Sequence, residues 1–407
     1  MLIKNLISNN TLLNLIKLFF GLMFGIMLFP SIVKSVIIII FSLLIFFLVS
    51  KRGFVINKTF FVINSSVYIG FIITMLYTAN FSEASLKLQT SFSLLLFPLL
   101  FSMLKRSDVL EVLKNSRIYL VVFIVATFLY NIIPFLWYYF THYSLEDVIK
   151  HYPLIINKDI GKYGIHPIYM SMHCAISILF SIYLFREIKT NLIKIILFVI
   201  NLSLICFLIV YSKKGPIIAF VFVLFLWSFF KEKKIRKYYY FAIIAISILL
   251  ISIPKTRNTF LELIKVEEAK SISSNSTNIR YSIYKTSFFL IKNSPFIGYG
   301  IGDFNDQLKI EYKKSNQFLL SKEYNSHNQY LSFLLIGGFP LLFLYLYFLY
   351  YNINLSFSNE NYLLIVVLSF YSIVMLSENI LERENGLIFF SFLINFFALK
   401  NYTKNEC

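Results

Sequence analysis

The sequence predicts an all-α, polytopic membrane protein of about twelve transmembrane helices with one large outer loop. Hydrophobic residues make up 58% of the 407 residues and charged residues only 14%, which excludes most soluble globular domains. The apolar residues are gathered in runs close to the roughly 20 residues that a membrane-spanning helix needs. The 28 Tyr and 46 Phe residues suit lipid-facing surfaces and the aromatic belts at membrane interfaces.

Twelve apolar runs are candidates for these spans. In chain order they are residues 11–29, 35–50, 59–79, 86–104, 117–140, 164–185, 192–211, 216–230, 238–253, 329–350, 362–376 and 386–399. No small-residue cleavage site follows the first run, so we interpret it as a retained span rather than a signal peptide. The runs 216–230 and 362–376 are short for a full crossing.

The distribution of positive charge predicts the orientation. The net charge of +18 would suggest nucleic acid as partner of a soluble protein, but here most of the excess lies in short loops. Basic residues cluster at 51–58, 105–117, 186–194 and 231–237, always after an even-numbered span. Because cytoplasmic loops are rich in Lys and Arg, we place these loops and both termini in the cytoplasm and predict no nucleic-acid partner.

The same topology assigns the outer segments. Residues 142–163, 254–328 and 377–385 fall on the opposite side of the membrane. The predicted organisation is an N-terminal helix bundle (1–253), a large outer loop (254–328) and C-terminal transmembrane helices (329–407).

Lys213 and Lys214 break the charge pattern, since the alternation puts this pair on the outer side at a helix end. A miscounted span, or lysines reaching to lipid headgroups, would explain them. A cationic site for an anionic ligand would also explain them. We favour the site because the pair violates an otherwise regular distribution.

The large outer segment contains recognisable local patterns. A polar loop at 271–278 precedes an amphipathic helix at 279–292, which we expect to lie at the membrane surface with Arg280 on its first turn. Asn293-Ser-Pro295 ends this helix. The glycine-rich turn at 296–303 lacks a surrounding strand–helix unit, so we interpret it as a place of close packing, or of close backbone approach to a ligand, rather than a nucleotide site. A short helix or loop follows at 303–316.

His327 and Asn328 stand where this segment enters the next span. An imidazole is costly inside a bilayer and is therefore rarely kept there without a function. The alternative is an interfacial histidine that caps the following helix. Gly337 and Gly338 are expected to break that helix.

Two further polar groups interrupt the apolar pattern. His166 begins the sixth span, and His173, seven residues later, is interpreted as a hydrogen-bonding group between helices. Glu378, Glu382 and Arg383 lie between the last two spans. They form either a solvated turn with local ion pairs or an anchor for the outer cations.

Together the outer-side groups indicate an anionic ligand. His166, Lys213, Lys214, Arg280 and His327 come from separate parts of the chain, and no His, Cys or Asp spacing is typical of a metal site. Cations without a metal suit a phosphate-bearing ligand. A lipid-linked pyrophosphate would fit, with its apolar tail against the helices.

Three stretches carry a resemblance to a known family. They are Arg280, the run from Asn293 to Phe304 (NSPFIGYGIGDF), and Ser326-His-Asn-Gln-Tyr-Leu331 followed by Gly337-Gly338. This arrangement resembles the O-antigen ligase / Wzy-type polymerase superfamily over about 280–338, within a related region of about 191–400. Tyr211-Ser-Lys-Lys-Gly215 is similar to the family's S-R-G element, with lysine in place of arginine.

The resemblance implies a metal-independent, inverting glycosyltransferase of the GT-C kind in the bacterial inner membrane, with its site on the periplasmic side and no cofactor. The donor would be a glycan on undecaprenyl pyrophosphate, and the acceptor lipid A–core or another glycan. Arg280 and Lys213 or Lys214, with His166, would bind the pyrophosphate, and His327 would act at the acceptor hydroxyl. Asn328, Glu378, Glu382 and Arg383 would support them.

Several functions stay open at this point. A ligase, a polymerase of repeat units and a protein O-oligosaccharyltransferase would share the same histidine and cations. A transporter of lipid-linked sugar is the alternative outside this class, although transporters often show internal repeats and none is evident here.

Overall fold

The computed structural model describes residues 8–141, 144–185, 187–264, 266–269 and 274–404. Within these ranges the chain is helical and forms no strand. Five parts of the sequence predictions lie outside the described residues: Arg186, residues 142–143, residues 271–273 of the polar loop, the N-terminus and the C-terminus.

Nineteen α-helices are seen in the described part of the chain. They are α1 (Asn9–Phe24), α2 (Ser31–Arg52), α3 (Lys58–Met75), α4 (Phe81–Ser91), α5 (Ser93–Ser102), α6 (Arg106–Lys114), α7 (Ser116–Thr141), α8 (Leu145–Leu154), α9 (Pro167–Phe185), α10 (Asn191–Tyr211), α11 (Lys214–Phe229), α12 (Lys233–Ser252), α13 (Pro254–Leu261), α14 (Ser276–Asn293), α15 (Phe304–Ser315), α16 (Gln317–Ser321), α17 (Gln329–Ser358), α18 (Tyr362–Val374) and α19 (Glu384–Lys404).

Eight of these helices are long and apolar enough to cross a membrane: α2, α3, α7, α9, α10, α12, α17 and α19. Each coincides with one of the twelve predicted spans. The predicted span 86–104 is instead the pair α4 and α5, bent by 43°. The other three predicted spans correspond to α1, α11 and α18, which have 16, 16 and 13 residues. The helices therefore support a polytopic membrane protein, while the number twelve and the GT-C-like arrangement stay predictions.

The described chain divides into two compact units. Unit 1 comprises Met1–Asn57, Leu100–Phe220 and Thr403–Cys407. In it α1 packs against α2 and α7, and α9 lies between α7 and α10. Phe20 of α1 contacts the rings of Phe41, Phe101 and Tyr119, so aromatic packing holds this core.

Unit 2 comprises Lys58–Leu99 and Val221–Tyr402. Its longest helix, α17, packs along α3 and also contacts α14 and α18. α14 covers part of α17 with a face that includes Ile283, Ser287 and Leu290. The predicted amphipathic helix is therefore present, and it ends at Asn293 as predicted.

α17 is broken in the middle, as the glycine pair predicted. Gly337 and Gly338 have non-helical backbone angles, and Pro340 follows within the helix. Proline has no amide hydrogen and cannot bond to the carbonyl one turn before it. Residues 329–336 and 339–358 are thus two helical segments that meet at a kink.

Candidate functional site

Arg280 is positioned by α14. Asn275 caps this helix by accepting hydrogen bonds from the amides of Thr277 and Asn278, as N-cap asparagines do. Because the helix begins at Ser276, Arg280 lies in its second turn and not in its first, which corrects the sequence prediction.

The segment after α18 holds the guanidinium of Arg280. Its Nη2 forms an ion pair with Oε1 of Glu378, and its Nε donates to the carbonyl of Ser377 at 3.1 Å. Two different nitrogens of one planar group are therefore bound, a geometry that lysine cannot reproduce. The interpretation of the acidic turn as an anchor for an arginine is confirmed for Glu378.

His327 faces the other oxygen of the same carboxylate. Its Nδ1 lies 3.7 Å from Oε2 of Glu378, and its side chain is 24% exposed. The backbone of His327 is left-handed, with φ of 46°, a conformation uncommon outside glycine and enriched at functional sites. It is fixed from both sides, because its amide donates to Oδ1 of Asn325 and its carbonyl accepts from the hydroxyl of Tyr284.

Asn328, and not His327, caps α17. The Asn328 side chain accepts from the amides of Tyr330 and Leu331 and donates to the carbonyl of Leu376 at 3.0 Å. The alternative interpretation of His327 as the cap of this helix is therefore wrong. Since the neighbouring asparagine performs that task, the imidazole is left for the cluster with Glu378.

The electrostatics favour an ionised Glu378 in this cluster. Burial opposes ionisation of the carboxyl, but His327 and the charge of Arg280 outweigh it and hold the pKa of Glu378 below its ordinary value of 4.5. Burial also raises the pKa of Tyr284, which keeps its hydroxyl available as a donor.

Glu382 lies at the centre of a second hydrogen-bond network, in which neutral side chains donate to its carboxylate. Its Oε1 accepts from Ser332 Oγ at 2.5 Å and from Asn379 Nδ2 at 2.8 Å. Its Oε2 accepts from Asn325 Nδ2 at 3.0 Å. Ser326 joins the network through Ser332 and Asn379. Asn325 therefore connects Glu382 with the backbone of His327, whereas Arg383 is exposed on the surface.

The glycine-rich turn docks on the broken part of α17. The amides of Tyr299 and Gly300 donate to the carbonyls of Leu335 and Ile336 at 2.7 and 2.8 Å. In return the amide of Phe339 donates to the carbonyl of Pro295. The turn thus supplies the backbone partners that the kink removes from the helix, which such breaks require within a membrane. Its role as a close-packing element is confirmed.

Asp303 fastens the same turn to the loop before α4. Its two carboxylate oxygens accept from the amides of Ala79 and Asn80 at 2.6 and 2.7 Å. Burial opposes ionisation, but these backbone hydrogen bonds lower the pKa of Asp303 below its usual value. The motif resembling the family's glycine stretch is therefore a clamp that holds three segments of unit 2 together.

The other predicted cations belong to unit 1. Lys213 and Lys214 are half-buried at the junction of α10 and α11, where Ser212 ends α10 in a left-handed conformation. His166 is half-buried before α9, and its Nδ1 accepts from the amide of Ile168 at 3.4 Å. His173 is buried with its ring edge-on to Phe123. The site roles of Lys213, Lys214 and His166 stay predictions.

Sequence reasoning missed three side chains of the cluster, namely Tyr284, Asn325 and Asn379. Tyrosine and asparagine are common at interfaces and helix ends, so nothing in the sequence singled them out. Among the described residues, no group of three or more His, Cys, Asp or Glu side chains is placed to hold a metal ion.

Comparison with known families gives one match. Residues 198–346 match the family described as O-antigen ligase. The matched segment lies within the predicted region of 191–400 and contains Lys213, Lys214, Arg280 and His327. No curated protein matches the chain significantly.

Proposed function

We propose that the chain, which matches the O-antigen ligase family over residues 198–346, is a glycosyltransferase that moves a glycan from undecaprenyl pyrophosphate to lipid A–core. The cluster of Arg280, Glu378 and His327 carries this proposal. It joins a cation, a carboxylate and an imidazole in one small region of unit 2.

Arg280 is proposed to bind the donor diphosphate. The side chain of Arg280 is 23% exposed, and its contacts with Glu378 and Ser377 fix the orientation of the planar guanidinium. A fixed cation stabilises negative charge that develops in the transition state more than a mobile one does. Lys213 or Lys214, together with His166, is proposed to add positive charge for the same diphosphate.

His327 is proposed to act as the general base. A carboxylate beside Nδ1 favours the tautomer with hydrogen on that nitrogen, which leaves Nε2 able to accept a proton. Glu378 acts through His327 as a positioning residue, and Glu382 and Asn328 hold the loop that carries the histidine.

The proposed reaction is a single displacement at the anomeric carbon. The acceptor hydroxyl oxygen forms a bond to that carbon while the bond from the carbon to the phosphate oxygen breaks. The proton of the hydroxyl passes to Nε2 of His327, and the electron pair of the broken bond stays on undecaprenyl pyrophosphate, beside Arg280. Attack from the face opposite the leaving group inverts the configuration. We place the reaction at the periplasmic face of the bacterial inner membrane.

Reconstituted membranes test this proposal. Undecaprenyl-pyrophosphate-linked glycan is supplied with either lipid A–core or a second lipid-linked unit as acceptor. Wild type is compared with Arg280→Ala and His327→Ala, and with two matched controls, Arg257→Ala on α13 and His151→Ala on α8, whose side chains are exposed.

Product on lipid A–core that both cluster variants lose and both controls keep is the expected result. Longer lipid-linked chains would instead move the assignment to a polymerase. Movement of the lipid-linked sugar across the bilayer without transfer would reject the enzyme and favour a transporter.

A further inference from the structure

Unit 2 contains a cavity of about 300 Å³. The proposed catalytic groups Arg280 and His327 are not among the described residues that line it. α4, the start of α15 and the turn carrying Glu382 surround it. Its volume is at the lower end of the range for small-ligand pockets. The residues that matter for its chemistry are Phe71, Glu83, Lys87, Phe304, Asn305 and Glu382.

Lys87 brings a buried positive charge to this cavity. Its ammonium lies 3.6 Å from Oε1 of Glu83, too far for a hydrogen bond, and 3.9 Å from the ring centre of Phe304. Its Nζ is buried, and within the described ranges it makes no hydrogen bond. An ammonium has three hydrogens to donate, so a purely structural lysine would be expected to use them.

Asn305 presents the complementary group. Its Oδ1 is likewise buried and accepts no hydrogen bond from any described residue. Among the described residues, a buried donor and a buried acceptor that make no hydrogen bond therefore line one cavity. Here the two groups border an open cavity, so a polar ligand bound in it can supply the missing hydrogen bonds.

The charges of the wall select the class of ligand. Two carboxylates, Glu83 and Glu382, face one ammonium, so the cavity repels phosphate. A hydroxyl group can accept a hydrogen bond from Lys87 and donate one to the side-chain oxygen of Asn305. It can also donate to one of the carboxylates, because a carboxylate has several lone pairs. Phe71 adds an aromatic surface for the apolar face of a ring. We propose that this cavity binds a neutral sugar unit through its hydroxyl groups.

The hydrogen bonds of Glu382 connect this sugar site with the cluster. Glu382 accepts from Asn325 Nδ2, and Asn325 Oδ1 accepts from the amide of His327. The inference rests on the proposed function in one respect: the sugar belongs to the donor or acceptor glycan whose transfer His327 assists.

Two variants of the full-length protein in nanodiscs test the site. Asn305→Leu keeps the size of the side chain and removes the oxygen that accepts no hydrogen bond. The substitution therefore removes a contact to the ligand, but no hydrogen bond from the protein to that oxygen. Lys87→Met keeps the length and removes the charge. Lys314→Met, at an exposed lysine of α15, is the matched control. Thermal unfolding confirms that each variant is folded.

The probes are the oligosaccharide released by mild acid from the undecaprenyl-pyrophosphate-linked glycan, and sodium pyrophosphate. Binding is measured by saturation-transfer NMR titration. Loss of hydrogen bonds to a charged group should weaken oligosaccharide binding about 10- to 100-fold in Lys87→Met, and roughly 10-fold in Asn305→Leu. Pyrophosphate binding and the control should not change.

Three results would overturn the inference. Both variants bind the oligosaccharide as strongly as wild type, or wild type does not bind the oligosaccharide, or the variants lose binding of pyrophosphate instead of the oligosaccharide. Glycan transfer by the same preparations separates the two proposals. Transfer by wild type with unchanged KM values in the variants rejects the sugar site alone, whereas no transfer rejects the proposed function. A KM that rises for donor only or for acceptor only supports the site and names the bound substrate.

Discussion

Replacing Gly338 by alanine tests the docking of the glycine-rich turn on α17. Gly338 has φ of 62° and ψ of −159°, a region that only glycine occupies without strain, and the strain costs about 1–3 kcal/mol for other residues. An added Cβ would also overlap the backbone carbonyl of Phe296. Displacing packed backbone costs about 1–3 kcal/mol more. We therefore expect Gly338→Ala to lower the free energy of unfolding by about 2–6 kcal/mol.

Gly161 provides the matched control. It also has a positive φ, 58°, but a Cβ there would meet no atom within 4 Å. Gly161→Ala should therefore cost only the left-handed strain, about 1–2 kcal/mol. Unfolding of both variants is measured by titration with sodium dodecyl sulfate in mixed micelles, followed by circular dichroism.

Hydrogen exchange gives a local readout of the same contact. The amides of Tyr299 and Gly300 donate to α17, so peptides covering residues 295–302 should lose protection in Gly338→Ala and keep it in Gly161→Ala. Equal losses of stability in the two variants, with unchanged protection of this peptide, would refute the argument that the turn and the kink fit against each other.

Three further predictions concern the charged groups of unit 2. The pKa of Glu378 is lowered from 4.5 in the folded state, so its ionisation stabilises the fold above pH 4.5 and this contribution is lost as the pH falls through the folded pKa. Glu378→Gln should therefore flatten the thermal stability curve at pH values below 4.5, and a curve as steep as wild type would contradict this. Asp303→Asn should lower the free energy of unfolding by about 2–4 kcal/mol, because two backbone amides lose a charged acceptor. Asp159→Asn, at an exposed residue, should have little effect. Similar free energies of unfolding for the two variants in chemical denaturation would be evidence against the clamp. Arg280→Lys keeps the charge but cannot bind Glu378 and Ser377 through two nitrogens of one planar group, so kcat/KM for transfer should fall about 10- to 100-fold. A fall of the same size in Arg257→Lys would show that the effect is unspecific.

Local patterns in the sequence predicted the helices well. Eight runs of apolar residues became long apolar helices because length and hydropathy are properties of the run itself. The end of α14 at Asn293 and the break at Gly337 and Gly338 follow from the backbone preferences of proline and glycine. Such features need no knowledge of distant contacts.

The geometry of the candidate site could be predicted only in part. His327, Arg280 and Glu378 were chosen separately because each places a polar group near an apolar span. Their convergence depends on the packing of α14 beside the loops that flank α17 and α18, which no local pattern contains. The hydrogen-bond partners of the glycine-rich turn depend equally on long-range packing.

Lys87 shows a signal that was present but not used. It lies inside the predicted span 86–104, and a charged residue in an apolar run is a functional hypothesis by default. Its ammonium is the one positive charge among the described residues that line the 300 Å³ cavity.

The pairing of the glycine-rich turn with α17 has a consequence for biogenesis. The carbonyls of Leu335 and Ile336 receive their donors from a segment that precedes α17 in the chain. During synthesis this segment emerges first, and α17 follows it. These two carbonyls have hydrogen-bond donors during insertion of α17 only if the turn has already folded at the membrane surface. We therefore expect a mutation that delays folding of the turn to slow or misdirect the integration of α17 into the membrane.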